Sequence, residues 1–416
     1  MSKAILKLSG IRAFEFFTAL FVFAIFFQDL LISVFNSKVF KSLDEISILL
    51  ILAVLVVDML FRNKVNLFYL SLTSVFIYFI FISIVFGKHH TLIDILLQTI
   101  IHLKFFIYFS FFYYYSKNGS KINLLSILKY IVYFSLVGLL LELLFRNSFY
   151  DFMQIEEYLR PYAKKGKVIY GGFIKANLLS FLFLIYFAIK SNFGALISNK
   201  KYWIWFSLIF IFFIAVKSRT ALIMLFILPF VKFKRIIFQP KYMIAAFIGV
   251  VLSLIVVYYK TNFIEKTIQN LSLFFTLDSY YIRGIMYCLS GKIFIDFFPI
   301  GTGAATFGTV LSEGSVVYEM YHVAHRYFFI NMDGVYDSNF ASIVGEFGFI
   351  GVLLFLSLFF MMKKFPAEVY HKNLFITLNW ITIFYCLTTP LFMNSFFALV
   401  LAFGYAHVHN IKTITP

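Results

Sequence analysis

The sequence predicts an all-α polytopic membrane protein with about 12 transmembrane helices, and three observations lead there. Hydrophobic residues make up 62% of the chain, charged residues only 13%, and mean hydropathy is +0.91. No soluble domain of 416 residues hides that much apolar surface. The apolar residues also fall into runs close to membrane-spanning length, with short clusters of Lys and Arg between them. The formal charge of +17 therefore belongs to positive-inside loops facing anionic headgroups, and no basic-aromatic motif points to nucleic acid. Cys288 and Cys386 are too few and too far apart in sequence for a zinc cluster, and nothing requires them to pair.

In chain order, the spans are expected at 13–35, 46–61, 67–86, 92–115, 123–145, 173–189, 202–216, 219–231, 242–259, 346–362, 373–388 and 390–407. The first run is too long for a signal-peptide core and lacks a small-residue cleavage site, so it counts as a span. The pair covering 202–231 is short and suits a hairpin as well as two full crossings. Without an internal repeat or a low-complexity linker, residues 1–416 read as one integral membrane domain with two external excursions, 146–172 and 260–345.

Charge sets the orientation. With the N-terminus cytoplasmic, the inner segments carry eighteen Lys and Arg, from Lys3 to Lys412. The short outer loops carry five: Lys38, Lys41, Lys88, Lys217 and Arg219. Both termini are thus expected inside, and both long excursions outside.

The first excursion holds Asp151, Glu156, Glu157, Arg160, Lys164, Lys165 and Lys167, then Tyr170-Gly-Gly-Phe173. A solvated loop accounts for each residue; a basic cluster beside a Gly-Gly turn also suits an anionic lipid head. Lys217-Ser218-Arg219-Thr220 joins two short apolar runs, which places Arg219 at the outer surface. An arginine at a helix end commonly snorkels to the headgroups. Ser218 and Thr220 add hydroxyl donors beside a helix N-terminus, a combination that suits a phosphate.

The long excursion carries most of the remaining chemistry. Ile282, Ile285, Met286, Leu289 and Ile293 recur at helical spacing, which predicts an amphipathic helix lying on the membrane face with Arg283, Tyr287 and Ser290 on its other side. Pro299-Ile-Gly-Thr-Gly303 requires a tight turn or a close backbone approach. His322, His325, Arg326, Asp333, Tyr336, Asp337, Ser338 and Asn339 follow. They supply candidate bases and a positive clamp, although most such loop residues are simply solvated. Within the spans, His102, Lys104, Lys129, Glu142 and Lys175 are costly in hydrocarbon and must face the protein interior or snorkel. His102 and Lys104, in the middle of a span, support a transport reading.

The order of these motifs carries a resemblance. The Ser-Arg-Thr turn, the Arg283-Gly284 helix start, the Pro-x-Gly-x-Gly turn with Phe307-Gly308, and Asp337-Ser-Asn-Phe340 before Gly345-Glu-Phe-Gly-Phe-Ile-Gly351 resemble the O-antigen polymerase (Wzy-type) and ligase superfamily. Gly172-Phe173 with Asn177 is also similar to a segment of that family, and the likeness covers roughly 165–365. It implies a GT-C-like glycosyltransferase of the bacterial inner membrane, its active site facing the periplasm, which needs neither metal nor cofactor. Its donor and acceptor would be undecaprenyl-diphosphate-linked glycans in the membrane lipid, and a chain-length regulator is a partner to look for. Arg219 and Arg283 would engage the diphosphate, and Asp337 or His325 would take the acceptor proton, with His322 as fallback. Ser218, Thr220, Tyr287, His322, Arg326, Tyr336, Asn339 and Lys167 would line the substrate. Ligases carry a His-Asn type motif where this chain has Asp337-Ser-Asn339, which favours polymerase. An O-antigen ligase and a lipid-linked oligosaccharide flippase are the alternatives.

Overall fold

The computed structural model describes residues 19–37, 40, 43–62, 67–88, 91–117, 124–154, 173–192, 199–216, 218–233, 248, 251, 268–269, 272–273, 281–365 and 371–409. Among them the regular structure is helical: α1 (Gln28–Phe35), α2 (Leu43–Arg62), α3 (Leu67–Val85), α4 (Leu92–Lys117), α5 (Leu124–Leu144), α6 (Arg146–Phe152), α7 (Ala176–Asn192), α8 (Asn199–Val216) and α9 (Arg219–Lys232). The C-terminal part adds α10 (Ile282–Asp296), α11 (Val316–Met320), α12 (Tyr327–Ile330), α13 (Asn339–Lys363), α14 (Lys372–Thr388) and α15 (Ser395–His409). Except for 248 and 251, the expected span at 242–259 lies outside the described residues, as do 155–172 and most of 260–280.

Four of these helices are long and apolar enough to cross a membrane: Leu67–Val85, Leu92–Tyr113, Ser126–Leu144 and Asn339–Lys363. α3 shows what such a helix packs and what it leaves bare. Phe68, Leu72, Val75, Phe79 and Ile82, at alternating steps of four and three, form a buried stripe against α4 and α13. On the opposite side Leu70, Ile77, Phe81 and Ile84 are each more than half exposed. An apolar stripe of that length suits lipid and not water. α4 is the central helix, with every residue from His102 to Phe112 buried and its main contacts made to α15, α3 and α2.

Chain reversal puts related ends together. At one end of the bundle, Lys88 N–H donates to Thr302 O at 3.0 Å, Ala304 N–H to Ser83 Oγ at 2.7 Å, and Thr220 Oγ1 meets Thr388 Oγ1 at 3.2 Å. At the other, Lys232 Nζ donates to Ser191 O at 2.7 Å and lies 4.5 Å from the Tyr202 ring centre. The segment 281–341 gathers at the first end around its own apolar core, which includes Ile285, Met286, Leu289, Ile293, Phe307, Tyr318, Phe329 and Val335. α10 does not lie where its periodicity predicts. Its apolar stripe does not lie on the membrane face but packs into this lobe and against α13, and Ser290 is buried with it.

α13 opens at Asn339, not near Glu346, and is broken at Gly348, where φ is +57°. The Pro299–Gly303 turn fills the break. Thr302 N–H donates to Gly345 O at 3.1 Å, Gly303 N–H to Glu346 O at 2.8 Å, and Ile350 N–H to Pro299 O at 3.2 Å. Backbone groups freed by the break are thus satisfied inside the protein, the condition for irregular chain at membrane depth. The approach leaves no room for side chains. A Cβ on Gly301 (φ +76°) would stand 2.6 Å from the Glu346 carbonyl carbon. Gly301→Ala is expected to destabilise by more than about 2 kcal/mol, through both the left-handed φ and the clash. Gly314→Ala shares the positive φ (+66°) but meets open space, and should cost only about 1 kcal/mol. Melting temperatures in detergent compare the two.

Candidate active site

The carboxyl end of α14 is where the scattered motifs meet. Thr389-Pro390 stops the helix, since Pro disfavours helical geometry in the residue before it, and Thr389 N–H closes the last turn on Tyr385 O at 2.8 Å. Around this end stand three segments that are remote in sequence. From the start of α9, Thr220 reaches Thr388. From α10, Tyr287 OH donates to Leu387 O at 2.7 Å. From the start of α13, Asn339 N–H donates to Thr389 O at 3.3 Å. Ser338 links the last two, because its Oγ donates to Tyr287 OH at 3.0 Å and accepts the Ala341 N–H at 3.2 Å as the N-cap of α13.

Arg283 sits one turn before Tyr287 on α10. Its Nη2 donates to Asp337 Oδ2 at 2.9 Å, and the two side chains are 35% and 32% exposed. Burial opposes the Arg283 charge, but Asp337 and Tyr281 more than offset it and hold the guanidinium above its ordinary pKa. Its Nε is buried and meets no hydrogen-bond partner. Burial also pushes the Tyr287 phenol up to about 12, so it remains a donor far above neutral pH. Arg219, the first residue of α9, is exposed; Ser218 takes the N-cap position without making a side-chain cap bond. Tyr336, partly buried, has its phenol raised by burial and by Asp337 and Asp333.

Beneath this cluster lies a buried polar layer. Asn339 Oδ1 accepts from Phe392 N–H at 2.7 Å and Met393 N–H at 3.2 Å. Lys104 Nζ donates to Met393 O at 3.1 Å and Ser395 Oγ at 2.6 Å, and Ser395 Oγ donates to Asp44 Oδ2 at 2.7 Å. His102 Nε2 lies 2.6 Å from Glu346 Oε2, both residues fully buried. Lys104 and His102, in the middle of a span, are thus each engaged by groups of the protein itself. Of the other costly residues, Glu142 accepts from Tyr150 OH at 3.0 Å, Lys129 lies 5.5 Å from the Tyr133 ring centre, and Lys175 is exposed.

The structure brings Thr220, Tyr287 and Asn339 to the end of α14 and pairs Arg283 with Asp337 beside them; Ser218 and Arg219 are placed only as the chain neighbours that precede Thr220, and Tyr336 as the neighbour of Asp337. His322 and His325 are exposed in the lobe, on the turns between α11 and α12. Arg326 is the N-cap residue of α12, and Lys167 lies outside the described residues. Sequence reasoning missed Leu387, Thr388 and Thr389, for which Pro390 after an apolar run was the available signal. It also missed Asp44, which precedes a span and reads as loop. The Tyr287 hydroxyl serves two partners, so Tyr287→Phe is expected to cost roughly 1–2 kcal/mol and Ser338→Ala about 1 kcal/mol. The double variant should cost less than their sum, as read from unfolding in detergent, because the two share a hydrogen bond.

The chain matches no protein-family model and no curated protein.

Proposed function

We propose that this chain is an integral membrane glycosyltransferase that polymerises polyprenyl-diphosphate-linked repeat units into a surface polysaccharide at the outer face of a bacterial inner membrane. The observation that carries the reading is the convergence of the 218–220, 283–287 and 337–339 segments on the end of α14. Displacing a diphosphate from an anomeric carbon needs positive charge where negative charge develops, and the acceptor hydroxyl must lose a proton. In this reading Arg219, with the N-terminal end of α9, and Arg283 receive the diphosphate. Asp337, next to Arg283, is the base. Between α13 and α14 runs an apolar groove of about 470 Å³, lined from Phe340 and Leu387 beside the cluster to Phe375 and Lys363. It offers a hydrocarbon chain a course leading from that headgroup position.

About twelve crossings, a GT-C-like arrangement, cytoplasmic termini and an outer lobe belong to the same reading. The lobe is tested by thiol labelling of Glu313→Cys, an exposed position, in a background with Cys288 and Cys386 changed to Ser. Labelling of intact cells by an impermeant reagent is expected; reaction only after permeabilisation of the inner membrane would reverse the topology. Function is tested by deleting the gene in its own bacterium. Surface glycan carrying a single repeat is expected, whereas no repeat at all would point to a ligase or a flippase. The pairing of Lys104 and His102 with protein groups gives both a structural role, which supports this reading over a transport path.

A further inference from the structure

The fully buried Glu346 is used more completely than any packing role requires. Its Oε1 accepts the N–H groups of Thr306 at 3.1 Å and Phe307 at 3.3 Å, and its Oε2 lies 2.6 Å from His102 Nε2 on α4. Its own carbonyl accepts from Gly303, and Phe347, next in the chain, stacks on Phe79 of α3 with ring centres 3.7 Å apart. A buried carboxylate is costly unless its partners are in place, and an apolar side chain of similar size fills space without that cost. What an apolar side chain does not do is hold two backbone N–H groups of a turn and a side chain of another helix at once. Glu346 therefore ties three parts together: the re-entrant turn, α4 and the first half of α13.

That half-helix is short and unbroken from Asn339 to Glu346, about 10 Å at ~1.5 Å per residue. Its far end is the Ser338 cap, with Asp337 just before it. The turn leads into Phe307, part of the lobe core that also holds Ile285 and Met286 of α10, the helix of Arg283. Both partners of the Arg283–Asp337 pair thus connect to structure anchored at Glu346, beside the direct bonds of Tyr287 and Asn339 to the end of α14. We infer that Glu346 is a positioning residue, which through the half-helix and the turn sets the placement of Asp337 and Arg283 against the end of α14. The inference rests on the proposed function only for its kinetic consequence.

Two readouts test it, on full-length wild type, Glu346→Gln, Glu346→Ala and His102→Ala in lipid nanodiscs. The first is amide hydrogen exchange. Glu346→Ala should raise exchange about tenfold or more both in 302–308 and, at a distance, in 336–342, and leave the α5 segment 124–144 unchanged. Glu346→Gln, which keeps one acceptor oxygen, should fall between it and wild type. The second is polymer synthesis from purified lipid-linked repeat units, where kcat should fall about 10- to 100-fold with donor KM nearly unchanged. Wild-type exchange at 336–342 in Glu346→Ala overturns the inference, as does an unchanged kcat. If Glu346→Ala does not accumulate, His102→Ala, which spares the two N–H bonds, carries both readouts; failure of both variants to fold would leave Glu346 a stability residue and also overturn it. Wild-type protein that makes no polymer while Glu346→Ala still loosens 336–342 would sink the proposed function and leave the anchoring role standing.

Discussion

Arg283→Lys is expected to fold and to lower polymer formation about 10²-fold or more. Lysine keeps the positive charge, so an interfacial anchor would tolerate the change. It loses the planar fork that lets one side chain hold Asp337 through Nη2 while still presenting N–H groups elsewhere. The side chain is 35% exposed while its Nε is buried, so the N–H groups it presents to a ligand are those of the terminal guanidinium nitrogens. Arg283→Ala should do worse, on the order of 10³-fold, because it also leaves Asp337 without its counter-charge. Arg219→Lys should also impair synthesis. The measurement is polymer length and yield from purified enzyme and lipid-linked repeat units, with folded protein quantified in parallel. Full polymer from both lysine variants would return the two arginines to ordinary headgroup anchors. Activity in the same assay is expected to survive EDTA, since the arginines fill the electrostatic role; loss of activity restored by a divalent ion would overturn the proposed mechanism.

How much of this was legible in the sequence depends on the range of the interactions involved. Helices were legible because their signal is local: the expected spans at 67–86, 92–115 and 123–145 coincide closely with Leu67–Val85, Leu92–Lys117 and Leu124–Leu144. The glycines of 299–303 signalled a close backbone approach, and the structure supplies what they approach, the broken turn of α13 at Gly345–Gly348. Periodicity could locate α10 but not what its apolar face meets, because a stripe that buries in lipid and one that buries in a protein lobe have the same spacing. Glu346 marks the same limit. A Glu at the edge of an apolar run reads as a helix start at the interface, and only the folded chain brings His102 to it from 244 positions away. The meeting of Thr220 with Thr388 is likewise a product of packing, invisible to spacing.

The last expectation concerns Asp337, read from the sequence as the base and found in the structure bonded to Arg283. The two roles make different demands. A base must be free to accept a proton from the acceptor hydroxyl, whereas a counter-ion need only hold the guanidinium in place. Asp337 is about one-third exposed and gives Arg283 one oxygen, Oδ2, so its Oδ1 remains geometrically available for the first role while Oδ2 performs the second. Asp337→Asn preserves shape but removes the negative charge and the proton acceptor, and should lower kcat by roughly 10²–10⁴ with donor binding retained. Because the pair acts through a shared hydrogen bond, its losses should not multiply. Arg283→Ala combined with Asp337→Asn is expected to be no worse than the poorer single variant by more than about threefold. Multiplicative losses in that cycle would mean that the two residues serve separate steps. Near-normal polymer from Asp337→Asn, with His325→Ala folded but inactive, would move proton abstraction to the imidazole in the lobe. That outcome would require His325, exposed between α11 and α12, to approach the end of α14 when the acceptor glycan binds, and a substrate-dependent drop in its solvent labelling would accompany it.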